Sequence, residues 1–78
     1  MNWRDRIVCD PQILDGKPTV RGTHMAVEII FERLADGWTL EDLRASYPEV
    51  SDDDLRAAFA FAAEIIRHMG DWMPKGTP

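Results

Sequence analysis

The sequence predicts a mainly α-helical domain in which three helices follow a short N-terminal β-ribbon. After residue 25, apolar residues recur at intervals of three and four in three segments that are bounded by capping or helix-stopping residues. Before that point, short β-prone runs alternate with turn-forming pairs such as Asp-Pro and Asp-Gly. We therefore expect one domain over residues 1–70 and a tail over residues 71–78.

The ribbon is predicted over residues 6–21, where three short apolar pieces are separated by turns. The first piece ends at Cys9, which we interpret as a small buried hydrophobic residue because it follows two β-branched residues. Residues 12–14 and residues 18–21 form the second and third pieces. A ribbon of two or three such strands is not stable alone in water, so it must pack on the helices or on another chain.

A loop over residues 16–25, which we call the glycine loop, leads from the ribbon into the helices. Its Gly22 is predicted to take a positive φ, which residues with a side chain resist. Lys17, Arg21 and His24 are the basic side chains of this loop. Two interpretations stay open. The loop is a structural connector, or it presents these three side chains to an anionic partner such as nucleic acid.

The first helix is predicted over about residues 26–36. Four apolar residues at spacings of three and four place one face against the core, and charged residues occupy the other face. Thr23 is expected to cap the start of this helix, and Gly37 to end it in the left-handed conformation.

The second and third helices are predicted over about residues 39–47 and 51–69. Thr39 and Ser51 are the expected N-caps, and acidic residues in the first turn of each helix interact favourably with the helix dipole. The third helix opens with three consecutive aspartates, residues 52–54. Consecutive helical residues point in different directions, so these carboxylates are not expected to hold one metal ion.

The third helix carries two apolar stripes on different sides, which predicts that it is buried on two sides. The ribbon or the tail could cover the second stripe. A chain of 78 residues has few residues to spare for this purpose, so we favour a homodimer. Phe61 and Ile65 of the second stripe, together with Trp72 of the tail, are the candidate interface residues.

Charge and composition argue against several classes of function. The net charge is −5, and residues 26–70 hold ten carboxylates and four arginines, so the basic surface of an autonomous nucleic-acid-binding domain is absent. The single cysteine rules out an internal disulfide and a cysteine-rich zinc site. No phosphate-binding loop or zinc-protease motif is present. We therefore predict no enzyme, no cofactor, no metal site and no small-molecule substrate.

The N-terminal residues show no signal-peptide pattern, and no segment is long and apolar enough to span a membrane. We accordingly expect a cytoplasmic protein that does not interact with membranes.

Three helices joined by short turns match a helix-turn-helix in which the second and third helices form the pair. In that arrangement the N-terminus of the last helix approaches DNA. Here this end carries the aspartates 52–54, which would repel phosphates. Operator binding by the isolated protein is therefore expected to be weak, and the glycine loop is the other candidate contact.

Four motifs follow one another along the chain: Ile-Val-Cys-Asp-Pro, Gly-Lys-Pro-Thr-Val-Arg-Gly-Thr, Ala-Asp-Gly-Trp-Thr-Leu-Glu-Asp-Leu and Tyr-Pro, which begin at residues 7, 16, 35 and 47. In this order they resemble the family called domain of unknown function 433, and the second motif is the most specific. The resemblance covers about residues 4–68. It implies a homeodomain-like helical fold and an antitoxin paired with a toxin that resembles the PIN-domain ribonucleases. Where that family has arginine after Gly-Thr, this chain has His24.

Two functions follow as expectations. The first is an antitoxin-like protein that binds and neutralises a PIN-like ribonuclease toxin, with the acidic helices offering carboxylates in place of RNA phosphates. Trp72 and Met73 of the tail are the candidate toxin-binding anchors, because a buried tryptophan contributes strongly to an interface. The alternative is a DNA-binding transcriptional regulator with a helix-turn-helix fold.

Overall fold

The computed structural model describes residues 2–70 and confirms a mainly α-helical fold with three helices behind a short ribbon. The strands are β1, Ile7–Val8, and β2, Thr19–Val20. The helices are α1, Val27–Ala35, α2, Leu40–Ser46, and α3, Asp52–Met69. Two short 3-10 segments, Trp3–Asp5 and Leu14–Gly16, lie before β1 and before β2.

The two strands pair antiparallel, with Ile7 opposite Val20, and both of these side chains are buried. The ribbon is joined directly to the start of α1. The Val27 N–H donates to the Pro18 carbonyl at 2.9 Å, and the Val20 N–H donates to the Met25 carbonyl at 2.9 Å. These bonds satisfy backbone groups that a helix start and a two-residue strand would otherwise leave unpaired.

Two predictions for the ribbon are wrong. Cys9 is exposed, because β1 ends at Val8 and the chain turns away from the core before the third residue of the apolar run. Residues 12–14 do not form a strand, since Leu14 begins the second 3-10 segment with a positive φ.

The expected helix caps are confirmed for α2 and α3. The Thr39 hydroxyl accepts a hydrogen bond from the Asp42 N–H, the Ser51 hydroxyl accepts one from the Asp54 N–H, and both sites are complete capping boxes. The prediction that Thr23 caps α1 is wrong. α1 begins one residue later than expected, at Val27 with Ala26 as N-cap, and Thr23 lies too far upstream to reach its first N–H groups.

The core is formed where the ribbon, α1, α2 and the first half of α3 meet; its buried apolar residues include Val20, Ile30, Leu43, Val50 and Leu55. In α3 the buried side chains are confined to Leu55, Ala57 and Ala58. None of the side chains of residues 62–69 is buried, so this half of the helix extends past the core, and we call it the α3 overhang. Among residues 2–70, no helix is long and apolar enough to cross a membrane.

Candidate functional site

The glycine loop has a fixed shape that depends on Gly22. Gly22 has φ +80°, which confirms the predicted positive φ. The Thr23 hydroxyl donates to the Val20 carbonyl at 2.8 Å and accepts from the Met25 N–H at 2.9 Å. Thr23 thus stabilises the turn within the loop, where its hydroxyl oxygen accepts from Met25 and not from an N–H of α1.

A left-handed turn leads into the loop at Gly16, and only its first two residues, Leu14 and Asp15, were not predicted to have positive φ. Leu14, Asp15 and Gly16 have φ values of +49°, +56° and +83°. For residues with a side chain this conformation costs on the order of 1 kcal/mol each. The Asp-Gly pair indicated a turn, but nothing in the sequence marked Leu14 as left-handed.

Lys17 and His24 line one open groove beside α1, together with Arg33 and Tyr47. The Lys17 Nζ lies 2.7 Å from the Glu28 Oε1. This hydrogen bond, and next the charge of Glu28, raise the pKa of Lys17 above its ordinary value. Lys17 is therefore already paired with an anion of the same chain, although its side chain is 60% exposed.

Arg21 lies apart from the other two basic residues of the glycine loop. Its Nε donates to the Asp5 carbonyl at 3.0 Å and its guanidinium also reaches the Arg4 carbonyl at 3.4 Å. It shares its depression with Arg6 and Asp54, not with Lys17 or His24. The structure therefore brings Lys17 and His24 together and gives Arg21 a bond to the N-terminal 3-10 turn.

The three aspartates at the start of α3 are all paired with arginines. There are four ion pairs: Asp54–Arg6 at 3.1 Å, Asp53–Arg6 at 3.6 Å, Asp53–Arg56 at 3.4 Å and Asp52–Arg44. Arg44 belongs to α2. The helix start therefore has three carboxylates and three guanidinium groups in contact. Sequence reasoning found the aspartates but missed these arginines, because two of them come from other elements.

An acidic surface lies at the corner between α1 and α2. Glu32 lies in the last turn of α1 and Asp36 is its C-cap, while Glu41 and Asp42 lie in the first turn of α2. Asp36 and Asp42 line the same depression beside Trp38. All four carboxylates are exposed, and none forms an ion pair with a residue of the described part of the chain. We call these four residues the acidic corner.

Contacts among Arg33 of α1, Trp38 of the connection between the helices and Tyr47 at the end of α2 hold the corner together. The rings of Trp38 and Tyr47 stack at 6.2 Å with an angle of 19° between their planes. The Arg33 guanidinium lies 5.4 Å from the Trp38 ring centroid and donates to the Tyr47 hydroxyl at 3.3 Å. The bond to Tyr47, and after it the charges of Asp36 and Glu32, raise the pKa of Arg33, which forms no ion pair with either carboxylate.

Of the two candidate dimer-interface residues on α3, Phe61 is partly covered by its own chain and Ile65 is exposed. Phe61 is half-buried and meets the Trp3 ring edge to face at 4.9 Å. The N-terminal turn of the same chain therefore covers part of the second stripe. Ile65, one turn further along, is 45% exposed. Trp72 and Met73, the candidate toxin-binding anchors, lie outside the described residues.

The described residues contain no group of three His, Cys, Asp or Glu side chains close enough to hold a metal ion. The described surface carries an acidic corner, a neutral set of Asp–Arg ion pairs at the start of α3 and an exposed apolar overhang.

Comparison with known proteins gives one finding. Residues 7–62 match the family described as "Protein of unknown function (DUF433)". No curated protein and no solved structure matches the chain. Because the match spans most of the chain and includes the ribbon, the glycine loop and the three helix starts, the protein belongs to the DUF433 family of proteins of unknown function.

Proposed function

We propose that this protein is an antitoxin-like inhibitor that binds a cationic ribonuclease of the PIN-like class through its acidic corner. The proposal includes a cytoplasmic location, where such a ribonuclease would meet its RNA. The observation that carries it is the uneven pairing of charges. Arg4, Arg6, Lys17, Arg44 and Arg56 are all held in ion pairs, whereas the corner gathers four of the described carboxylates that form none.

The location of these carboxylates suits an inhibitor. A ribonuclease binds a polyanion, so the surface around its active site is cationic, and carboxylates can replace phosphates there. Exposed charges of this kind mainly accelerate association and select partners of opposite charge. The affinity would come from apolar anchors, for which Trp72 and Met73 of the tail are the candidates.

A second candidate function, a DNA-binding regulator, is favoured by one observation. Arg6, Arg44 and Arg56 surround the start of α3 and balance the charge of its aspartates. These arginines could exchange a carboxylate for a DNA phosphate. Each exchange would leave an aspartate unpaired near the phosphates, so we expect the antitoxin-like function to dominate.

Co-expression with the products of the two flanking genes tests the proposal. We expect one flanking product to arrest growth and degrade RNA when expressed alone, and to be neutralised and co-purified when this protein is present. Replacement of both anchors, Trp72→Ala with Met73→Ala, should increase the dissociation rate of the complex while the circular dichroism of the free protein is unchanged.

Two results would contradict the proposal. If neither flanking product binds, the antitoxin-like function should be abandoned. If the protein alone binds its own promoter fragment with nanomolar affinity at physiological salt, the regulator is the better account.

A further inference from the structure

Among residues 2–70, no other element buries the apolar side chains of the α3 overhang. Its eight residues rise about 12 Å beyond the core. Ile65 and Ile66 are 45% and 65% exposed, and Phe59, just before the overhang, is 37% exposed. An apolar surface of this kind at the end of a helix is typical of a binding site.

The same helix carries a heptad pattern. Leu55, Phe59, Ala62, Ile66 and Met69 follow one another at spacings of four, three, four and three residues. This is the spacing at which two helices pack side chains into each other's gaps. The first two members find their partners within the chain, since Leu55 is buried and the Phe59 ring lies 5.8 Å from that of Phe31. The last three lie on the overhang, none of them buried.

An apolar groove opens beside the overhang. Phe31 and Val27 of α1, Phe61 of α3 and Pro18 line it, and the Lys17–Glu28 ion pair forms its edge. Phe61 and Ile65 are four residues apart, so they lie on one face of α3. A projecting apolar surface and an apolar groove therefore adjoin each other on one molecule.

We propose that a second copy of this chain occupies the groove, so that the overhang of each copy lies in the groove of the other around a two-fold axis. Such an interface requires adjacent surfaces that are complementary to each other, which the overhang and the groove supply. The overhang members of the heptad, Ala62, Ile66 and Met69, carry no charge. Two chains of net charge −5 can therefore meet there through uncharged side chains, and the charges at the edge of the groove are already paired as Lys17–Glu28.

Charge also separates this surface from the acidic corner. A cationic partner would gain no electrostatic attraction from uncharged heptad residues, whereas a second copy gains the apolar contact and avoids repulsion. None of the four corner carboxylates lines the groove. The dimer therefore does not depend on the proposed function, and either can fail without the other.

Sedimentation velocity of the full chain between 1 and 200 μM, as a chosen range, tests the proposal. We expect a reversible increase from monomer to dimer mass within that range. Ile66→Glu should weaken the dimer by about tenfold or more, because it places a charge in the apolar contact of both copies. Ile66 is a better position than Phe61, since Phe61 also contacts Trp3 of its own chain.

Ala45→Glu is the matched control. Ala45 is exposed on α2 and lies outside both the overhang and the groove, so this variant adds the same charge without touching the interface. Circular dichroism should show all three proteins equally folded. The proposal would be overturned if the wild-type chain is monomeric throughout the range or if Ile66→Glu dimerises normally. An equal loss of dimerisation in Ile66→Glu and Ala45→Glu would also overturn it.

Discussion

The Arg6 guanidinium lies 3.1 Å from the Asp54 Oδ1, which connects the residue before β1 to the first turn of α3. The carbonyl of the same residue accepts a hydrogen bond from the Arg21 N–H at 2.7 Å. Arg6 thus joins the ribbon, the glycine loop and α3 at one point. Its Asp54 partner is only 13% exposed, so this ion pair is better shielded from solvent than the others at the start of α3.

Replacement of Arg6 should destabilise the fold in a salt-dependent way. In Arg6→Gln, Asp53 and Asp54 would repel each other without a shared cation, and we expect a loss of about 0.5–1 kcal/mol in the free energy of unfolding. Urea unfolding at low and high salt measures it. The control is Arg44→Gln, whose pair with Asp52 is exposed on both sides and should contribute less. Equal losses of stability in both variants would contradict the claim that the better-shielded Arg6–Asp54 pair contributes more than the Arg44–Asp52 pair.

Gly22→Ala should destabilise the protein by about 1 kcal/mol, because Gly22 has φ +80°. A Cβ at Gly22 would meet no atom within 4 Å, so the cost comes from the backbone alone. Gly70→Ala is a matched control, since Gly70 has φ −59° and equally open surroundings. Thermal or urea unfolding should show a loss for Gly22→Ala and none for Gly70→Ala. The same loss at both positions would refute the argument.

Arg21 should behave as a structural residue. Its guanidinium donates to the carbonyls of Asp5 and Arg4, which the single ammonium of a lysine cannot reproduce from the same position. We expect Arg21→Lys to lose about as much stability as Arg21→Ala, roughly 0.5–1 kcal/mol. If Arg21 served only to attract phosphate, Arg21→Lys would keep full stability and most of any DNA affinity.

The capping box of α2 should make stability depend on pH. The Thr39 N–H donates to the Asp42 carboxylate at 2.9 Å, and this bond, followed by that with the Thr39 hydroxyl, lowers the pKa of Asp42. Because the folded pKa is lower than the unfolded one, the carboxylate stabilises the fold above about pH 4, and this contribution is lost as the pH falls through the folded value.

Asp42→Asn should therefore be less stable than the wild type at pH 7, and the difference should shrink below about pH 4. Urea midpoints at pH 7, 5 and 3 measure it. Glu41→Gln is the control, since Glu41 is the neighbouring carboxylate and accepts no capping bond. A difference for Asp42→Asn that is constant with pH would show that the carboxylate does not act through its charge.

Local chemistry explains what could be predicted from the sequence. The caps at Thr39 and Ser51 and the positive φ of Gly22 were predicted because each depends on neighbours within three residues or on a missing side chain. The prediction that Thr23 caps α1 was wrong because its hydroxyl could bond either within the glycine loop or at the helix start. The hydroxyl oxygen accepts from the Met25 N–H within the glycine loop and not from an N–H of the helix, and the sequence does not decide between the two.

Contacts between distant residues could not be predicted in the same way. Arg6 and Asp54 are 48 residues apart, and Trp3 and Phe61 are 58 apart, so no periodicity or motif connects them. As a result, the aspartates of α3 were recognised but not their arginines. The second stripe of α3 was recognised, but not the turn of the same chain that covers part of it.

The most direct test of the central claim compares two charge reversals of equal size in the complex with the flanking gene product. Glu32→Lys with Asp36→Lys alters the acidic corner, whereas Asp5→Lys with Asp10→Lys alters unpaired carboxylates of the N-terminal segment. The association rate constant, measured by surface binding kinetics at low salt, should fall roughly tenfold for the corner variant and much less for the other. Equal changes in both variants, or none in the corner variant, would contradict the claim that the acidic corner binds the partner.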